Sequence, residues 1–175
     1  MQFKLLIIAT GVLAVSSVHA QVNVTDIISD ISDIVVLASE VVSLAQNLNI
    51  ATILTSAPKI IDNISQIVEI ITTDIEEIGA SNATFKATDE TDVCDGFQEF
   101  LGAVGQIADT VTEKMDVLAD TPFSGAIASV VNSVKDGIND FSNQILDVVP
   151  DCGSDTEKSL ESVNTSFNTC LKKLA

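Results

Sequence analysis

The chain is poor in the side chains that do most enzyme chemistry. Tryptophan and tyrosine are absent, aromatics make up 4% of residues, and there is one histidine in 175 residues. Arginine is absent as well, so every basic residue is a lysine. The one histidine, His19, lies in an N-terminal segment that reads as a removable leader. Without it there is no imidazole base, which excludes Ser-His-Asp and Cys-His catalysis and the usual zinc sites. No guanidinium is available as a bidentate clamp, and no indole or phenol as a platform for sugars. These absences point to a non-catalytic protein without metal or cofactor. Only carboxylate or lysine chemistry is left for an enzyme.

The leader itself has three recognisable parts. Met1 to Lys4 is a short basic start, Leu5 to Val15 is an apolar run too short to span a membrane, and Val18-His19-Ala20 is a cleavage signal. Residues 1–20 are therefore expected to be a signal peptide, leaving 21–175 as a single helical-bundle domain that is secreted, extracellular or in the cell wall. The ending Leu171-Lys172-Lys173-Leu174-Ala175 has no hydrophobic tail, which argues against a glycolipid anchor or a C-terminal membrane helix.

What is present is acid and aliphatic carbon. The formal net charge is −17, and loss of Lys4 with the leader makes it one unit more negative. Such a charge repels nucleic acid and anionic membrane surfaces. It suits solubility, or contact with neutral apolar surfaces and cationic partners. Hydrophobic residues make up 46% of the chain, and the mean hydropathy is +0.40.

The aliphatics recur every three or four residues, the period of an amphipathic helix. A first stripe runs Ile27, Ile31, Ile34, Ala38, Val41, Ala45, Leu48, with Thr25 or Asp26 as its cap. After Asn47–Asn49 a second runs from Ile50 through Ile53, Ile60, Ile64, Ile67, Ile71 and Ile75 to Ile78, with Pro58 marking a kink or a start. The polar stretch Ala80 to Asp92 reads as the longest loop. A third stripe spans Val93 to Leu118. Thr121-Pro122 signals the start of a fourth, from Ile127 through Val130 and Val134 to Val148. Pro150 to Gly153 is a break, and Ser154-Asp155-Thr156-Glu157 a capping box that opens the last helix. About five helices with mostly short connections predict an all-α, up-and-down bundle.

Three cysteines imply one disulfide and one remainder. Cys94 starts the third helix and Cys152 follows the fourth, so an up-and-down path brings them to the same end. Cys170 lies along the last helix about 27 Å from Cys152 at 1.5 Å per residue, too far to bridge. It falls on the apolar stripe as a small hydrophobe; an intermolecular bridge through Cys170 is the alternative. Asn-x-Ser/Thr sequons stand at Asn23, Asn63, Asn82 and Asn164. The densest carboxylates, Glu76-Glu77, Asp89-Glu90 and Asp92, lack the spacing of a calcium loop and read as solvated faces.

An interior of slim Ile, Val, Leu and Ala can leave a channel for an acyl chain, or open to lay amphipathic helices on an apolar surface. Its candidate lining is Phe97, Phe100, Val104, Ile107 and Val111 from the third helix and Val134, Ile138, Phe141 and Ile145 from the fourth. Lys114, Lys172 and Lys173 would gather at one mouth and attract a carboxylate head group weakly.

Three segments carry a resemblance to a known family: ISDISDIVVLASEVVSL, TEKMDVLADTPFSGAIASVVNSVKDGINDFSNQILDVVPD with its Val-Pro break, and ESVNTSFNTCLKKLA. They resemble the fungal hydrophobic surface-binding protein A family, which includes cell-wall mannoprotein domains. The resemblance covers essentially all of 21–175 and implies a secreted, helical, non-catalytic protein. Its partner would be a hydrophobic surface or a fatty-acid-like lipid, with a secreted enzyme recruited to that surface as a further candidate. The three cysteines depart from the family pattern. The competing expectation is a structural cell-wall glycoprotein whose apolar faces are only core.

Overall fold

The computed structural model describes residues 24–80 and 87–174. The leader 1–20, Asn23 and Asn82 lie outside the described residues. Every regular element among the described residues is helical. Helix α1 is Val24–Gln46, α2 Ile53–Ala80, α3 Ala87–Glu113, α4 the single turn Met115–Leu118, and α5 Ser124–Val148; a 3-10 turn Pro150–Cys152 leads into α6, Gly153–Leu174. The all-α bundle expected from the periodicity is what the chain forms.

The first stripe is buried as read: Ile27, Ile31, Ile34, Ala38, Val41 and Ala45 face the core, and Leu48 closes it after the helix ends. The α1–α2 link is a self-contained turn. Asn49 Oδ1 accepts from the backbone N–H groups of Ala51 (2.9 Å) and Thr52 (3.2 Å), while Thr52 Oγ1 accepts from the N–H of Asn49 (3.0 Å). This is the reciprocal logic of a capping box. Helix α2 runs on through Pro58. The carbonyl this proline leaves unpaired is that of Leu54, an exposed residue, so water can take its place.

Five local expectations shift. Helix α3 begins at Ala87, so the second half of the expected loop 80–92 is helical although its sequence carries no apolar period. In α2 the buried position is Asp74, and Ile75 is only half-buried. In α5 it is Val131 that is buried, and Val130 is half-buried. Thr121 and Pro122 form a turn ahead of α5, in which the N–H groups of Phe123 and Ser124 donate to the Oγ1 and carbonyl of Thr121 (both 3.3 Å). Helix α6 starts at Gly153, ahead of the expected cap at Ser154, because the 3-10 turn feeds directly into it.

The five long helices close into a ring in the order α1, α2, α5, α6, α3 and back to α1, and the α5–α6 seam is the least extensive of the five. Their directions follow from paired residues. Asp30 meets Asp74 and Glu40 meets Asn63, so α1 and α2 are antiparallel. Gly137 abuts Ile71 and Gly79 abuts Gln144, so α2 and α5 are parallel. The tight 3-10 turn reverses α5 into α6. An offset of 58 residues relates α3 to α6 at the Cys94–Cys152 disulfide (Cα–Cα 5.4 Å) and at the 2.9 Å hydrogen bond from Gln98 Nε2 to Thr156 Oγ1. These two helices are therefore parallel. The chain alternates up and down along the sequence, but α2 and α3 are not neighbours in the ring. One continuous apolar core fills it.

Candidate functional site

The ring places α3 and α5 across the core from each other, and three phenylalanines meet there. Phe97 and Phe100, one turn apart on α3, lie 5.4 Å between ring centroids in a stacked arrangement. Phe141 of α5 approaches both edge-on, at 5.5 and 5.6 Å. Edge-to-face packing of this kind brings positive ring edges onto negative ring faces. From this cluster towards the end that carries Lys114, the core is mainly aliphatic: Val104, Ile107 and Val111 from α3 and Val131 and Val134 from α5 line it, and α6 adds the buried Phe167 and Cys170. Ile138 and Ile145 flank Phe141 at one-turn spacing on α5. All nine candidate lining residues are thus core residues, and none exceeds 1% exposure.

That burial decides the state of the interior. A side chain at zero exposure has no water-sized void against it, so the axis is closed and dry in this conformation. An acyl chain entering it would have to part helices. The seam with the least packing is α5–α6, and its middle is polar: Asn164 Nδ2 donates to Asn139 Oδ1 at 2.8 Å, and Asn139 Nδ2 returns a bond to Asn164 Oδ1 at 3.2 Å. The α3–α6 seam is held more firmly. Beside its disulfide, both ends of the Gln98 amide are used, by Thr156 and by the Ser159 hydroxyl at 2.7 Å.

The three head-group lysines share one end, opposite the disulfide. Lys114 follows α3 directly and is half-buried; Lys172 and Lys173 are exposed in the last turn of α6. The 58-residue offset sets Lys172 level with Lys114. Among the described residues the one ion pair is Lys158–Asp155, on the exposed start of α6, so these three lysines are free to meet an anion. The disulfide is Cys94–Cys152, as the up-and-down path requires, and Cys170 is free and buried. Burial pushes the Cys170 thiol above its ordinary range, which keeps it protonated and inert. Of the two described sequons, Asn63 donates its amide to Glu40 Oε2 at 3.1 Å, and Asn164 is the partner of Asn139.

One group was missed by the periodicity argument. Asp74 is 2% exposed, faces Asp30 across α1–α2, and is pushed up to about 8 by burial first, then by the charge and hydrogen bond of Asp30, then by Glu77. Its Oδ2 has no hydrogen-bond partner. The signal was in the register: counting 64, 67, 71, 78 along α2 leaves 74, not 75, as the inward position. Among the described residues lie two open surface grooves, about 360 Å³ beside Glu40, Lys59 and Asn63 and about 260 Å³ between α3 and α6 beside Gln98, Gly102 and Ser162. Both mix polar side chains with apolar surface, from Leu44 in the first and from Leu101 and Val163 in the second. No three acidic, cysteine or histidine side chains among the described residues converge as a metal site, and no described helix is long and apolar enough to cross a membrane.

No family model and no curated protein matches the chain. Solved structures do. AfMp4p, determined in complex with palmitic acid, superposes with a TM-score of 0.76 at 13% identity, covering 87% of this chain and all of that one. Ligand-binding domain 2 of the Penicillium marneffei MP1 protein, complexed with multiple arachidonic acids, gives 0.64 at 10% identity, covering 89% of this chain and 98% of that domain. The fold is shared over nearly its whole length with two helical proteins that hold fatty acids.

Proposed function

We propose that this protein is a secreted, non-catalytic carrier of long-chain fatty acids, taken up into the bundle axis between α3 and α5. The observation that carries the reading is the ring of five helices around an apolar axis with lysines gathered at one end. The two fatty-acid complexes of the same fold support it. The acyl chain would lie along Val104, Ile107, Val111 and Val134 as far as the phenylalanine cluster, with its carboxylate towards Lys114, Lys172 and Lys173. Entry would be through the α5–α6 seam, where packing is least extensive and the disulfide clamps only the far end. Uptake would exchange apolar acyl surface from water into the core at roughly 25 cal/mol per Å², offset by the work of parting the helices.

Lipid is the one partner this reading needs; a recruited enzyme has no support in either complex. Hydrophobic-surface adsorption, implied by the family resemblance, would use the same aliphatic faces with the bundle opened further. The Cys94–Cys152 bridge and the Gln98 hydrogen bonds tie α3 to α6 and favour the closed carrier over such opening. Mass spectrometry of lipid extracted from the purified secreted protein, followed by titration with palmitate, tests the proposal. A co-purifying fatty acid and saturable one-site or few-site binding are expected. Absence of saturable binding to any long-chain fatty acid would overturn it and leave the structural glycoprotein reading.

A further inference from the structure

The apolar residues most exposed in the described structure lie together at the lysine end. Ile50 is 89% exposed and Leu54 71%, on the α1–α2 link and the first turn of α2. Ile50 is held outward by a rigid turn, since the Asn49 and Thr52 side chains satisfy the link's own backbone N–H groups. Two aliphatics displayed on a hydrogen-bonded turn are a costly way to end a helical hairpin unless something covers them.

The charge pattern says what can approach. From Val41 to Ile61 the chain has no carboxylate, although its net charge is −17. Lys114, Lys172 and Lys173 stand at this end and offset Glu113, Asp116 and Asp120 there, while Lys59 lies further along α2 in the groove it shares with Glu40 and Asp62. The opposite end carries Asp26, Asp30, Asp92, Asp95, Asp151 and Asp155 with Lys158 as the described cation. A phosphate-bearing surface therefore repels the flanks and the disulfide end and tolerates only the lysine end.

We propose that this end docks on a neutral lipid bilayer, with Ile50 and Leu54 inserted among the head groups and the lysine ammoniums level with the lipid phosphates. The inference rests on the carrier reading above: it places the mouth of the carrier against the membrane from which a fatty acid is drawn or to which it is delivered. Side chains with apolar stems and charged tips suit that interface.

Flotation with phosphatidylcholine vesicles free of fatty acid tests the docking by itself. The wild type should float with the vesicles, and the double variant Ile50→Ser/Leu54→Ser should lose about tenfold or more of that binding. Val36→Ser, which removes a 56% exposed aliphatic from the side of α1, should float like the wild type. Loading from vesicles that contain palmitate should slow to the same extent in the double variant, while its equilibrium affinity for soluble palmitate stays unchanged. Palmitate binding in the absence of vesicles reads the carrier function separately. Equal flotation of wild type and double variant overturns the docking proposal. So does a sedimentation shift showing that Ile50 and Leu54 instead join two copies of the chain.

Discussion

Asp74 makes stability depend on pH in a direction opposite to that of most carboxylates. Its folded-state pKa is raised from 3.8 to about 8, burial being the largest cause. Between about pH 4 and pH 8 the folded protein holds a proton that the unfolded chain has released. Stability from this group is therefore fully present below pH 4, falls as pH rises towards 8, and levels off above it. One proton sets a limit of about 1.4 kcal/mol per pH unit. The whole interval of about four units has a ceiling near 6 kcal/mol, and relaxation of α1 with entry of water should reduce this to on the order of 2–3 kcal/mol. Urea unfolding at pH 5, 6.5 and 8.5, compared between the wild type and Asp74→Asn, isolates the effect: no histidine follows His19, most carboxylates ionise below pH 5, and the buried Cys170 thiol, which also lowers stability towards pH 8.5, is common to both proteins. Asp74→Asn keeps the shape and removes the titration, so its midpoint should change less across that range and exceed that of the wild type at pH 8.5. Asp30→Asn should weaken the pH dependence without abolishing it, since burial remains. Parallel curves for wild type and Asp74→Asn would refute the assignment of a buried, protonated carboxyl.

Phe141→Ala removes the ring that both α3 phenylalanines pack against, and should cost about 3–5 kcal/mol in urea or thermal unfolding. Replacing Cys94 and Cys152 by serine opens a loop of 58 residues and should cost about 4 kcal/mol by the chain-entropy estimate; non-reducing peptide mapping should show those two linked and Cys170 alkylated only after denaturation. Joining α5 to α6 through Asn139→Cys/Asn164→Cys should block palmitate uptake when oxidised and restore it on mild reduction, read by titration in both states. Uptake that is indifferent to this crosslink would move the entry seam elsewhere.

The sequence alone was enough for the class, the number of long helices and most of the core. In α1 every residue of the seam Ile27 to Ala45 is buried as read, because a helix of fixed pitch turns a three-four spacing into one face. The same pitch, followed strictly, would have found Asp74; reading Ile75 in its place came from weighing residue type above register. The disulfide was also legible, since an alternating path leaves one pairing at one end of the bundle. Helix starts were less legible. The acids of 89–92 look like loop residues by composition, yet the backbone of α3 runs through them.

What tertiary structure decided is which helices touch. Short connections set the alternation of direction, but many lateral orders satisfy them, and only the packing of particular side chains selects one. Gly137 admits Ile71, Gly105 admits Val163, and Gln98 finds Thr156 and Ser159. Those contacts set α2 beside α5 and α3 beside α6. They leave α3 and α5 facing across the axis, where the three phenylalanines meet. Whether an interior is a channel or a sealed core depends on complementarity to within an ångström, since side chains pack at crystal-like density or leave voids. That is a property of the assembled ring, and no spacing of aliphatics along a chain encodes it.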